Sequence, residues 1–266
     1  MNRFITTTLC TLLLMSGSMV TSCSAKTIKG SDNIIKREVS VSDFDEVSVS
    51  TGIRVVYTTG RTAKATIQAP DNIMEYVNVT NDGNELNIGL KHKRGGINFN
   101  GNFVVTVYIS SKTLREVETS SGSSFTAKDL NLSGDLELSS SSGSSIRLDN
   151  VSVTNDLDLD ASSGSTITID GAKATKIDID ASSASNINVS GIVATVVNGD
   201  TSSAAQLTLK GKCERVDFEA SSSSTIQASA LTAKSGTAES SSASSIRCNV
   251  TDLRSSTSSA GSVSNK

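Results

Sequence analysis

The chain has one proline, no tryptophan, one histidine and 3% aromatic residues in 266. Each shortage excludes something. With so few aromatic rings, little is left to stack on sugars. The lone His92 leaves no Ser-His-Asp or Cys-His arrangement outside its own neighbourhood and no histidine-based metal cage. A formal net charge of −3 gives no overall pull toward nucleic acid, and no nucleic-acid partner is expected. Serine is abundant instead, with 38 in the 147 residues from Ser120 to Lys266. Such a bias usually accompanies disorder. Disorder would erase hydrophobic periodicity, however, and here the periodicity is strict.

The N-terminus reads as an export signal. Arg3 supplies a positive n-region, and Leu9 to Val20 is apolar but shorter than the roughly 20 residues of a membrane-spanning helix. Val20-Thr21-Ser22-Cys23-Ser24 places small residues directly before a cysteine, as in a bacterial lipobox. Residues 1–22 are therefore expected to be a lipoprotein signal peptide, with Cys23 as the lipidation site. Residues 23–37 read as a polar, mildly basic tether. The implied location is the cell envelope, as an outer-membrane lipoprotein held by its lipid and facing either the periplasm or the exterior.

Residues 38–115 alternate at period two: Val39 and Val41, Val47 and Val49, Ile53, Val55 and Tyr57, then Leu86, Ile88 and Leu90. Turn signals such as Thr59-Gly60 and Asn81-Asp82-Gly83-Asn84 separate these strands. The basic run from Lys91 to Gly96 reads as a solvated loop, with an anion or lipopolysaccharide contact as the functional alternative.

From Glu116 the chain becomes a repeat. A serine-rich corner is followed by an apolar anchor at Phe125, Ile146, Ile167, Ile187, Leu207, Ile226, Ile246 and, worn, Val263. Apolar or small columns lie two residues after the anchor (Leu148, Ile169, Val189) and eight and ten before it (Leu159 and Leu157, Ile179 and Ile177), with polar residues between. A weaker third side runs through Leu130, Val151, Ala172 and Ile192. About 20 residues per turn with three faces is the arithmetic of a parallel β-solenoid. The expected fold is all-β: a right-handed parallel β-helix over 116–266, with the N-terminal β region 38–115 packed onto it or continuous with it. Small residues suit a tight corner whose hydroxyls bond backbone groups or the neighbouring rung. Gly122, Gly143 and Gly164 share a column with Ala184, Ala204 and Ala243, so a corner that is not strictly left-handed is expected there.

Two acidic columns stand out, Glu118, Asp160, Asp180, Asp200, Glu219 and Glu239 in one and Glu116, Glu137, Asp158, Asp178 and Asp217 in the other. A solvated face that blocks sheet stacking is the favoured reading. Weak Ca²⁺ binding on Asp158, Asp160, Asp178 and Asp180 is the alternative, and no other metal or cofactor is called for. Cys213 and Cys248 fall on different sides of coils two rungs apart, about 10 Å along the axis, beyond the roughly 7 Å that a disulfide tolerates. Two free thiols are expected.

The lipoprotein-type leader, the run from Phe44 to Tyr57, Asn84-Glu85-Leu86-Asn87-Ile88, Val104 to Ile109 and the Ser-Ser-Gly-Ser coils together resemble the putative auto-transporter adhesin head GIN domain family of Bacteroidota envelopes, a domain of unknown function. The resemblance spans about residues 38–250 and implies a β-helical envelope protein with an adhesin label, with no functional residue to carry over. Three functions are weighed. The favoured one is a non-enzymatic envelope adhesin or scaffold that presents a β-helical rod, with glycans or envelope proteins as candidate partners. The alternative is a polysaccharide-binding or -cleaving β-helix, for which the even coil lengths leave no groove-forming insertions. The third is end-to-end self-assembly, which the worn coil Ser255 to Lys266, read as a fraying cap, disfavours.

Overall fold

The computed structural model describes residues 26–91, 97–100 and 103–266. Alternating apolar residues form strands almost throughout, and the single helical turn among the described residues is the 3-10 segment Met74–Tyr76. The N-terminal strands are β1 Lys26–Lys29, β2 Ile34–Val39, β3 Glu46–Val49, β4 Arg54–Thr59, β5 Lys64–Pro70, β6 Val77–Asp82, β7 Glu85–Leu90, β8 Ile97–Asn100 and β9 Thr106–Ser111.

Two parallel ladders run the length of the molecule. One passes from β7 through β3 to Glu116–Thr119, Leu136–Ser140, Asp156–Ala161, Lys176–Ala181, Val196–Thr201 and Arg215–Ala220. The other passes from β9 through β4 to Ser124–Leu132, Ser145–Val153, Thr166–Lys173, Asn186–Val193 and Gln206–Lys212. The long strands Thr225–Ser240 and Ser245–Thr257 then carry both ladders onward. The expected parallel β-solenoid is therefore present, and β3 and β4 form its first coil, so the N-terminal region is continuous with it. Antiparallel strands close that end, with β6 on β7, β5 on β9 and β2 on β5.

The anchor register holds residue for residue. Phe125, Ile146, Ile167, Ile187, Leu207, Ile226 and Ile246 stack in one column, and all are buried. The Phe218 ring fills the space beside Gly199, where a Cβ would come within 2.8 Å of Leu207 and 3.2 Å of Phe218. Phe125 stacks on Tyr57 at 6.0 Å.

Three sequence expectations change. Residues 26–29 and 34–37, read as tether, lie in β1 and β2; β1 pairs with β8 and β2 with β5, because Ile28 packs on the core and β2 supplies backbone partners to a sheet edge. Residues 1–22, read as a signal peptide, and Cys23 lie outside the described residues, as do residues 92–96 of the basic run. The last coil is regular, with its own corner and the strand Ser262–Asn265 paired to Ser245–Cys248.

The third change concerns the corner itself, which is left-handed in every coil. Ser183 and Ala184 have φ of 53° and 60°, Ser203 and Ala204 52° and 63°, and Ser242 and Ala243 55° and 63°, matching Ser142 and Gly143 at 53° and 68°. Ser144 N–H donates to Ser141 O at 3.1 Å, which closes a type I′ turn. Each left-handed residue costs an L side chain about 1 kcal/mol. Two observations show why alanine is tolerated. A Cβ on Gly122, Gly143 or Gly164 would meet nothing within 4 Å. The N–H of this position also continues the ladder, from Gly143 to Ser163 O at 3.1 Å and from Ala184 to Ser203 O at 3.0 Å. A second left-handed column, absent from the sequence reading, bends the chain toward the third side at Asp129, Asn150, Gly171 and Gly191. These residue types tolerate that conformation best.

Candidate functional site

The corner serines have a defined bonding role. In the position two before the anchor the side chain turns inward, and its hydroxyl donates to a carbonyl of the preceding coil: Ser144 to Thr119 O (2.9 Å), Ser165 to Ser140 O (2.7 Å), Ser185 to Ala161 O (2.9 Å), Ser224 to Thr201 O (2.9 Å) and Ser244 to Ala220 O (2.7 Å). Ala205 occupies the same column without a hydroxyl. These buried serines tie coils together and leave the surface to other residues.

The carboxylates project from the first ladder. Glu85, Glu46, Glu116, Glu137, Asp158 and Asp178 stack directly, followed by Asn198 and Asp217. Two residues along, Glu118, Ser139, Asp160, Asp180, Asp200, Glu219 and Glu239 stack likewise. Where this second column meets the corner, the surface folds into a groove. One wall is that carboxylate column, and the other is the outward serine column Ser120, Ser141, Ser162, Ser182, Ser202, Ser221 and Ser241. Its two sections, about 600 and 320 Å³, share Asp180 and Ser182 and together reach from Ser48 to Ser258.

Stacking like charges has an electrostatic cost, and the groups on this face show it. Partial burial, then Asp178, Asp156 and Glu137, push the Asp158 carboxyl up to about 6. Burial, then Glu219, Asp180 and Asp217, do the same to Asp200, also to about 6. Asp160 and Glu116 are raised for the same reasons, burial first. Two relieving contacts are built in. Lys176 Nζ lies 2.6 Å from Asp178, and Asn198 Nδ2 donates to Asp178 Oδ1 at 2.7 Å.

The four aspartates considered for Ca²⁺ stack as Asp158 on Asp178 and Asp160 on Asp180. Among the described residues no group of three or more His, Cys, Asp or Glu is placed to hold a metal ion. Cys213 and Cys248 are free and buried, and burial pushes the Cys213 thiol up to about 11. The groove was not foreseen: both columns were legible in the sequence, but their meeting at a concave edge follows from the bend.

A family model described as "Putative auto-transporter adhesin, head GIN domain" matches residues 43–175 and 150–266. The chain belongs to this family. The two matches together span the groove and both ladders. Among solved structures, a putative adhesin of Parabacteroides merdae is similar at 19% identity and a TM-score of 0.78, covering 91% of this chain and 100% of that one. A putative adhesin of Parabacteroides distasonis aligns at 19% identity and 0.79 with the same coverage. A putative lipid binding protein of the same species aligns at 19% and 0.61, again covering 91% and 100%. At these identities the likeness is one of fold. A search of curated proteins finds no match. The adhesin-family assignment points to an envelope or surface protein, and no helix among the described residues is long and apolar enough to cross a membrane.

Proposed function

We propose that this head GIN domain protein is a non-enzymatic outer-membrane lipoprotein, anchored through Cys23, that acts as an adhesin or scaffold. The observation that carries the reading is the repetition of the groove. Successive coils offer a carboxylate or serine on one wall and a serine on the other, about 4.8 Å apart. A surface of that kind suits a long repeating partner, a glycan chain or an envelope polymer, which gathers affinity from many weak and equivalent contacts. Hydroxyls and carboxylates supply hydrogen-bond donors and acceptors for sugar hydroxyls, and the carboxylates disfavour anionic polymers.

A glycan array probed with the purified chain tests this. Neutral or cationic glycans should bind, and Asp200→Asn with Glu219→Gln should weaken or redirect that binding. Binding that the double variant leaves unchanged would remove the groove from the reading. Release of new reducing ends from a bound polysaccharide would overturn its non-enzymatic part.

A further inference from the structure

We infer that the outer face of the N-terminal cap is a docking surface for an anionic lipid bilayer, which seats the rod on the membrane by its first coil. Four of the five large apolar side chains that are exposed among the described residues lie in the cap: Ile34, Ile35, Val104 and Tyr108, with Val193 the exception. Strand register assigns three of them to one face. Ile34 pairs with Pro70, and Thr66 pairs with Tyr108. Val104 precedes Thr106, the partner of Gln68, by two residues, so continuing the register brings it level with Pro70. Ile34 and Val104 are each 51% exposed and Tyr108 43%.

The charges on this face are mainly positive. Lys36, Gln68, Thr106 and Arg54 form one cross-strand row between the two apolar rows. Lys64 pairs with Ser110 on the far side; the opposing charges are Glu38 in the Tyr108 row and the exposed Asp71 next to Pro70 at the patch edge. Aliphatic and aromatic side chains interleaved with Lys and Arg fit the boundary of an anionic membrane. The carboxylate face of the solenoid has the opposite character and is repelled by such a surface.

Chain length points to the same partner. The patch begins where β1 ends, since Asn72 Nδ2 donates to Lys29 O at 2.8 Å and Asn72 lies two residues beyond Pro70. From Lys29 back to Cys23 is six residues, a span of at most about 20 Å. Because strand structure starts at Lys26, a lipid on Cys23 leaves the cap no long tether on which to stand off the bilayer. This proximity rests on the lipidated reading of Cys23, and the chemistry on the patch itself.

The test uses the full chain purified from membranes. Its intact mass reports independently whether Cys23 carries lipid. Hydroxyl-radical footprinting then compares the chain on phosphatidylglycerol-containing vesicles with the same chain on neutral phosphatidylcholine vesicles. Oxidation of Tyr108 and Val104 should fall about threefold or more on the anionic vesicles, because residues seated in the headgroup layer lose contact with water, while exposed Val193 stays unchanged as an internal control. Lys36→Gln with Arg54→Gln should abolish that protection; both side chains are exposed, and an unaltered melting curve keeps a folding defect from passing as undocking. Equal oxidation of Tyr108 on both vesicles, with lipid present, overturns the docking and leaves the anchor standing. Protection without lipid on Cys23 upholds the docking and removes the anchor.

Discussion

Replacing Asp158 by asparagine should stabilise the protein, and by an amount that depends on pH. Asp158 stacks between Glu137 and Asp178, and its carboxyl is raised to about 6 from an ordinary value near 3.8. Between those values the folded state holds a proton that the unfolded state has lost. Stability contributed by this group therefore falls as pH rises from 4 to 6, and the full cost is present above about pH 6.5. A shift of that size corresponds to about 3 kcal/mol at most, and because the group is partly exposed solvent screening reduces it to about 1 kcal/mol. Asparagine removes the charge at nearly constant shape. Asn198 shows that the column accepts an amide, since its Nδ2 reaches Asp178 Oδ1 at 2.7 Å. Urea unfolding should show Asp158→Asn gaining about 1 kcal/mol at pH 7.5, roughly half of that near pH 5, and nothing below pH 4. The gain should shrink in 1 M NaCl. A gain that does not vary with pH, or a loss at pH 7.5, would refute the carboxylate-strain argument.

The serine tie predicts a pair of opposite effects. Ser165→Ala removes the bond to Ser140 O and should cost about 1 kcal/mol, while Ala205→Ser adds the missing hydroxyl and should gain up to about that amount, both read from urea midpoints. The left-handed corner predicts a similar pair. Gly143→Ala, at φ 68°, should lose about 1 kcal/mol without any steric clash, and Ala204→Gly, at φ 63°, should be neutral or stabilising. Gly236→Ala is a different case: its Cβ would come within 2.3 Å of Val216 O, so the lower coils should melt well before the upper ones by hydrogen exchange. Cys213 and Cys248 should react with a thiol reagent only on unfolding, since both are buried and burial raises both thiols; rapid modification of the native chain would contradict this packing.

Much of the solenoid was legible because its information is local and repeated. The anchors from Phe125 to Ile246 recur with the coil, and period-two alternation fixes which neighbours of each anchor face inward. The acidic columns could be listed from the same arithmetic, down to the direct stacking of Asp158 on Asp178. The corner conformation was misjudged because alanine in a glycine column argues against a left-handed backbone only if nothing else holds it there. The N–H of Ala184 donating to Ser203 O, one coil away, is what holds it. The segment before Val39 was misjudged for a related reason. Lys26–Lys29 and Ile34–Val39 look polar and unpatterned, and their order comes from partners distant in sequence, such as Ala65 for Val39 and Ile97 for Lys26.

The repeat, the all-β class, the inward columns and the charge of the outward ones follow from side-chain alternation, which is set residue by residue. Folding alone makes β3 and β4 the first coil, sets a carboxylate wall and a serine wall around one groove, and places Ile34, Val104 and Tyr108 on one face with Lys36 and Arg54. Those are relations between rungs and between faces. They arise from where the chain bends and which strand lies beside which, and backbone hydrogen bonds between distant segments settle both.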